Sequence, residues 1–138
     1  NNSFSHKFLK VSSFSEPQKV DSIIYNNCEC VQISSNSKKI IKKDRFILLS
    51  NSRLDNLEEV KEKNPELSNL SEEEIFLELF IKYGESSLKK ITGPFSFLII
   101  CIDTGVIHGG RDLFGQRPLY YCNNNDFFIA ASNIDVFF

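Results

Sequence analysis

A chain of 138 residues, 41% hydrophobic and 25% charged, has the size and balance of one globular domain with a sizeable core. Its formal net charge of −2 gives no electrostatic footing for nucleic acid or an anionic membrane as partner. No apolar run approaches the roughly 18 residues of a membrane span, and the N-terminus NNSFSHKFLK lacks the apolar core of a secretory signal.

Residues 4–11, FSHKFLKV, are β-prone and read as a first strand; SSFSEPQK at 12–19 is a polar loop with Pro17. VDSIIY at 20–25 and CECVQI at 28–33 flank Asn26-Asn27, a two-residue connection suited to a tight hairpin. SSNSKK is a polar turn, and RFILLS at 45–50 is a largely buried strand. Lys39, Lys42, Lys43 and Arg45 cluster between them as a solvated strand edge or loop, not a binding patch.

Arg53 to Lys63 places Leu54, Leu57 and Val60 at helical spacing, and Pro65 with its polar neighbours ends that stretch. The strongest helix signal follows. Ser71 with Glu74 three residues on forms a capping box. Ile75, Leu79 and Tyr83 line up beside Phe76 and Phe80, and Gly84 stands where a left-handed C-terminal cap is wanted. This amphipathic helix should cover one face of a sheet.

PFSFLIICI is too continuously apolar for a strand with one wet face, so it belongs mid-sheet with layers on both sides. Asp103-Thr104-Gly105 turns it into VIHGG, RDLFGQRP is a compact irregular segment, LYYC a short strand, NNND a turn and DFFIAAS the last strand. NIDVFF has the pattern of a helix start. Strands, two helices and a closing meander make the class α+β with antiparallel sheets.

Several residues invite chemical readings that their surroundings do not support. Cys101 lies inside FLIICI and reads as a buried free thiol; Cys28 and Cys30 share one face of a strand, and Cys122 completes the set. No His or Cys stands at ligand spacing from the Cys-x-Cys pair, so four free thiols of a reducing cytoplasm are expected, with no disulfide and no metal. His108 and His6 have no Cys or Ser partner at a readable spacing. Tyr120 and Tyr121 read as one core ring and one surface or interface ring.

The stretch GPFSFLIICID…RDLFGQRPLYY…FFIAASNIDVF resembles the glutaminase domain of asparagine synthetases and their relatives. Gly93, Phe95 and Phe97 match that family's gly-x-phe-x-phe strand. Arg111, Asp112, Phe114, Gly115, Pro118, Leu119, Tyr120 and Tyr121 match its arg-asp-x-phe-gly-x-x-pro-leu-tyr-tyr segment, and Ala131, Ser132 and Ile134 match its phe-ala-ser-glu-ile ending. The similarity runs upstream through the capped helix to NSRLDNLEEV and covers roughly 90 residues, a dense match over an irregular segment. It implies an Ntn-hydrolase-like sandwich of two antiparallel β-sheets flanked by helices, in a single glutaminase-like (class II glutamine amidotransferase-type) domain over residues 1–138.

In that family an N-terminal Cys attacks the glutamine carboxamide with its own α-amino group as base, and an Asn side chain and a Gly N–H stabilise the oxyanion. The resemblance puts Asn1-Asn2 where the family has Cys-Gly, so no catalytic residue is expected. Asn51 falls on the oxyanion Asn, Ser52 replaces the Gly, and Glu72 takes the acidic position that binds the substrate's amino group. No Arg-rich loop for the substrate carboxylate can be placed, and the stretch before Asn51 is short for a glutaminase. Ser3 would serve as nucleophile only after loss of Asn1 and Asn2. Arg111 and Asp112 are expected to form a buried ion pair that fixes the RDLFG turn.

The resemblance therefore implies a non-catalytic glutaminase-like scaffold of an ATP-dependent, amide-forming enzyme. RLDN followed by acidic residues is closest in style to the β-lactam synthetases and lasso-peptide cyclases. ATP and Mg are expected only in a C-terminal synthetase domain, in cis or in trans, with a precursor peptide or small carboxylate as substrate. Two alternatives stay open: a working glutaminase whose nucleophilic Cys lies outside these 138 residues, and a stand-alone structural or binding domain.

Overall fold

The computed structural model describes residues 7–11, 19–25, 28–34, 40–124 and 128–137. The chain divides into two compact units, residues 1–40 with 118–138, and residues 41–117. The second holds the long helix and the most apolar strand.

Its sheet is antiparallel throughout, in the order β4-β5-β6-β7. The strands are β4 (Ile41–Lys43), β5 (Phe46–Ser52), β6 (Phe95–Cys101) and β7 (Ile107–Arg111). As its apolar run requires, β6 is central, and all seven of its residues are buried. Register fixes Leu48 opposite Ile99 and Asn51 opposite Ser96. The sequence reading missed β4. Two of its three residues are exposed lysines, so it carries no apolar alternation, yet edge strands often look like this because charge discourages further pairing. Lys42, Lys43 and Arg45 thus lie on or beside a solvated sheet edge, as expected; Lys39 lies outside the described residues.

The helix α1 (Leu57–Lys63) is shorter than the sequence suggested, because Arg53–Asn56 stays extended or turned. A one-turn 3-10 segment, Pro65–Leu67, follows. In α2 (Glu72–Tyr83) the capping box is complete: the Ser71 hydroxyl accepts from Glu74 N–H, and the Glu74 carboxylate accepts from Ser71 N–H. Ile75, Phe76, Leu77, Leu79 and Phe80 are buried, each worth about 1.5–3 kcal/mol against exposure.

Phe76 sets its ring 5.1 Å from Phe97 and 5.9 Å from Phe95, and Phe80 lies 6.4 Å from Phe97. The helix therefore covers the face of β6 that carries Phe95, Phe97 and Ile99. Gly84 has the expected positive φ of 58°, but its ψ of −142° lies outside the left-handed helical well. The chain passes directly into a 3-10 segment, Gly84–Lys90.

In the first unit, β1 (Lys7–Val11), β2 (Lys19–Tyr25) and β3 (Cys28–Ser34) form a sheet in the order β1-β3-β2. The β2–β3 hairpin has the anticipated register, with Tyr25 opposite Cys28; its turn lies outside the described residues, as does the 12–18 loop. β1 joins β3 in parallel. That pairing is absent from the sequence reading, since a strand's direction beside a non-adjacent partner leaves no local mark.

β8 (Tyr120–Asn123) and β9 (Phe128–Ala131) make a second antiparallel pair, with β9 beside β1. A 3-10 turn, Ile134–Phe137, stands where NIDVFF suggested a helix start. The class is α+β with antiparallel sheets of four and two strands plus helices, as expected. No described helix is long and apolar enough to cross a membrane.

Candidate functional site

Alternation along β5 sends neighbouring side chains to opposite faces. Leu48 points into the core beneath α2, so Ser50 and Ser52 share that side and Asn51 takes the other. Of the three positions singled out from the sequence, two meet. Ser52 is buried, and its hydroxyl donates to the Glu72 carboxylate at 2.7 Å. The second oxygen of Glu72 accepts the Leu54 N–H at 3.1 Å. Glu72 is the first residue of α2, where the helix dipole also favours a negative charge. Asn51 is half-buried and stands away from that pair.

The segment after Ser52 is held by its own side chains and by backbone pairing. Arg53 and Asp55 exchange hydrogen bonds with the strand lead-in: Arg53 N–H donates to Pro94 C=O at 2.9 Å, and Asp55 N–H to Thr92 C=O at 2.8 Å. The Asn56 amide donates to Lys90 C=O and accepts from Thr92 N–H, both at 2.9 Å. Between those contacts lies Gly93, with φ +120°; a Cβ there would stand 2.2 Å from the Arg53 carbonyl oxygen. The glycine that opens the gly-x-phe-x-phe element is therefore required by close approach of the RLDN backbone. Arg53 Nε also bonds Asp55 Oδ1 at 3.1 Å on the surface.

The RDLFG segment corrects one expectation. Arg111 and Asp112 do not form a buried ion pair. Arg111 closes β7 and is exposed, its guanidinium lying over Gly115. Asp112 is buried, and its carboxylate instead gathers four backbone N–H groups: Phe114 and Gln116 at 3.0 and 3.1 Å, Phe95 and Arg117 both at 3.3 Å. Burial pushes the Asp112 carboxyl up, but the N–H groups of Gln116, Arg117, Phe95 and Phe114 together outweigh it and hold the group below its ordinary range. A carboxylate next to β7 can thus organise an irregular turn and tie it to β6 without a cation. Leu113 and Phe114 project outward, 93% and 83% exposed.

Tyr120 is also corrected: it is 38% exposed and not a core ring, while Tyr121 is a surface ring, 72% exposed and stacked on Phe128. Pro118 and Leu119 are half-buried at the start of the first unit's second segment. Cys101 is a buried free thiol as anticipated, and Cys122 is free and exposed. The Thr104 hydroxyl draws the Cys101 thiol below its usual range against the opposing effect of burial. His108 packs edge-on to Phe80 and faces Glu85 at 3.7 Å. The two groups have separate partners. Asn1, Asn2, Ser3 and His6 lie outside the described residues, as do the side chains of Cys28 and Cys30.

The sequence reading gave no role to Asn56, whose double backbone bond is visible only once Thr92 is beside it. A family model described as a glutamine amidotransferase domain matches residues 25–138. The asparagine synthetase [glutamine-hydrolyzing] 1 of Bacillus subtilis (strain 168) is 37% identical over 75 residues, which cover 54% of this chain and 12% of the relative. Two putative asparagine synthetases [glutamine-hydrolyzing] of Methanocaldococcus jannaschii, numbered 2 and 1, are 32% and 31% identical over 90 and 88 residues. These matches cover 64% and 62% of this chain, and 18% and 16% of those relatives. The matched region is thus less than a fifth of each relative's length. With the family match spanning most of the chain, from the end of β2 through the RDLFG turn to the last residue, the chain belongs to the glutamine amidotransferase domain family.

Proposed function

We propose that this domain is a glutaminase-like scaffold that does not itself hydrolyse glutamine, within an asparagine-synthetase-like enzyme that forms amide bonds with ATP. The observation that carries the reading is the engagement of Glu72. On the family pattern this carboxylate would receive the substrate's amino group. Here one oxygen is held by the Ser52 hydroxyl and the other by Leu54 N–H. These part-buried donors take up lone pairs of the carboxylate that an incoming ammonium would otherwise use. Ser52 supplies one of those donors, and it stands where the family carries glycine.

The RLDN segment supports the same reading, because its residues bond one another and the β6 lead-in. In this reading the parent enzyme is of the lasso-peptide or β-lactam cyclase kind and works in the cytoplasm. ATP and Mg bind in a C-terminal synthetase domain, in cis or in trans, and the substrate is a precursor peptide or a small carboxylate. The names of the relatives, asparagine synthetases [glutamine-hydrolyzing], favour a second reading, glutamine hydrolysis.

One assay separates the two. The full-length protein is incubated with glutamine, and glutamate is measured against a buffer blank. Release at the blank rate is the expected result; sustained release above it overturns the scaffold reading. A Ser-Gly-Gly-x-Asp-Ser phosphate-binding loop encoded beyond Phe138 is expected as well, and a full coding sequence without one would sink the synthetase half of the proposal.

A further inference from the structure

The other end of α2 carries a site that does not depend on Glu72. The 12 residues of α2 put its last residue about 16 Å from its first. There, α1, the end of α2 and the segment entering β6 enclose a cleft of about 410 Å³, within the size range of small-molecule sites. Its apolar surface is chiefly the ring of Tyr83, above the buried Val60 and Leu79, and its charged lining is Glu59, Lys63, Lys89 and Lys90.

The charges do not cancel. Lys63 is paired with Glu59 along α1. Lys90 lies 4.4 Å from the centre of the Tyr83 ring, a cation–π contact that leaves its ammonium without a counter-ion. Among the described residues neither Lys89 nor Lys90 has a carboxylate partner. Both helices end at this cleft, and each C-terminus brings roughly half a negative charge. Against two net positive side chains, that leaves the cleft positive. Part of the helix-end charge is already met, since the Asn64 amide donates to Val60 C=O and the Ser86 hydroxyl to Tyr83 C=O.

The cleft is also preorganised. The Asn56 amide fixes Lys90 C=O and Thr92 N–H, and so holds the backbone that presents both lysines. We infer that this cleft binds a small amphipathic anion, a carboxylate on a short aromatic body, with its charge at Lys89 and Lys90 and its body beside the ring of Tyr83.

The test is a calorimetric titration of the full-length protein with 3-phenylpropionate, with its uncharged amide 3-phenylpropanamide, and with inorganic phosphate. Saturable binding of 3-phenylpropionate is expected, with the amide and phosphate each weaker by roughly fivefold or more. The double variant Lys89→Gln/Lys90→Gln should weaken 3-phenylpropionate by a similar factor. Both lysines are exposed, so the double variant should fold and unfold cooperatively, losing no more stability than the Lys90–Tyr83 cation–π contact supplies. Absence of saturable binding, equal affinity for the amide or for phosphate, or unchanged affinity in the double variant each overturns the inference.

Discussion

The hydroxyl of Ser52 and the carboxylate of Glu72 meet at 2.7 Å, joining the last residue of β5 to the first residue of α2 across 20 positions of sequence. The bond is part-buried and charge-assisted, so it should outlast the separate effects of its two partners. A double-mutant cycle with Ser52→Ala and Glu72→Ala, followed by urea unfolding, is expected to give a coupling of about 1–2 kcal/mol. The cycle removes the helix-dipole contribution of Glu72 and its bond to Leu54, which belong to the single change. Additivity within about 0.3 kcal/mol would show that the two groups are merely adjacent.

Asp112 gathers four backbone N–H groups, so its charge should be visible in acid. Its folded value lies below the ordinary 3.8. Its contribution is therefore fully present above that value and is lost as pH falls through the lower folded one. Asp112→Asn should lower stability at pH 7 and flatten the loss of stability below about pH 4. Unfolding midpoints from pH 7 down to pH 2 check this; parallel curves for wild type and variant would contradict it.

What the sequence disclosed and what it hid differ by the distance over which each interaction acts. Ser71 and Glu74 are three residues apart, and their reciprocal bonds were readable directly. The run from Phe95 to Cys101 announced a central strand because hydrophobicity on every residue has few other uses. Asp112 misled, because adjacent opposite charges suggest each other as partners. The Phe95 N–H that binds Asp112 lies 17 residues away, and Arg111 is drawn over Gly115. The resemblance set Ser52 at a position where the family has glycine, but its bond to Glu72 depends on how a strand and a helix pack. β4 was hidden by its exposed lysines, and the parallel β1–β3 pair by the absence of any local signal for direction.

Gly93 combines a φ of +120° with a virtual Cβ 2.2 Å from the Arg53 carbonyl oxygen and 2.9 Å from Asp55 N. Both obstacles are backbone, so neither can swing aside as a flexible side chain would. Gly93→Ala should cost at least ~2 kcal/mol in unfolding free energy and loosen the pairing of Arg53 and Asp55 with the β6 lead-in. Gly105→Ala serves as a control: its φ is also positive, at +69°, but it has nothing within 4 Å of the added carbon, so only the conformational penalty applies. Equal losses in the two variants would show that φ alone, and not the contact with Arg53, makes Gly93 necessary.

The capping box offers a local test of what holds the start of α2. Ser71→Ala removes the acceptor for Glu74 N–H and should cost about 1 kcal/mol. Glu74→Gln keeps a side-chain oxygen that can accept from Ser71 N–H, but it loses the charge favoured at a helix N-terminus, so a smaller loss of about 0.5 kcal/mol is expected. The two changes should also differ in acid. The Ser71 backbone N–H, then the Ser71 hydroxyl, hold the Glu74 carboxyl below its ordinary 4.5. The associated stability is present above pH 4.5 and disappears as pH falls through the folded value. Glu74→Gln should therefore approach wild type in stability below about pH 3, whereas Ser71→Ala, which loses a neutral hydrogen bond as well, should remain less stable there. Urea midpoints at pH 7 and pH 3 distinguish them, and a Glu74→Gln deficit that persists unchanged at low pH would show that its charge contributes nothing to the cap.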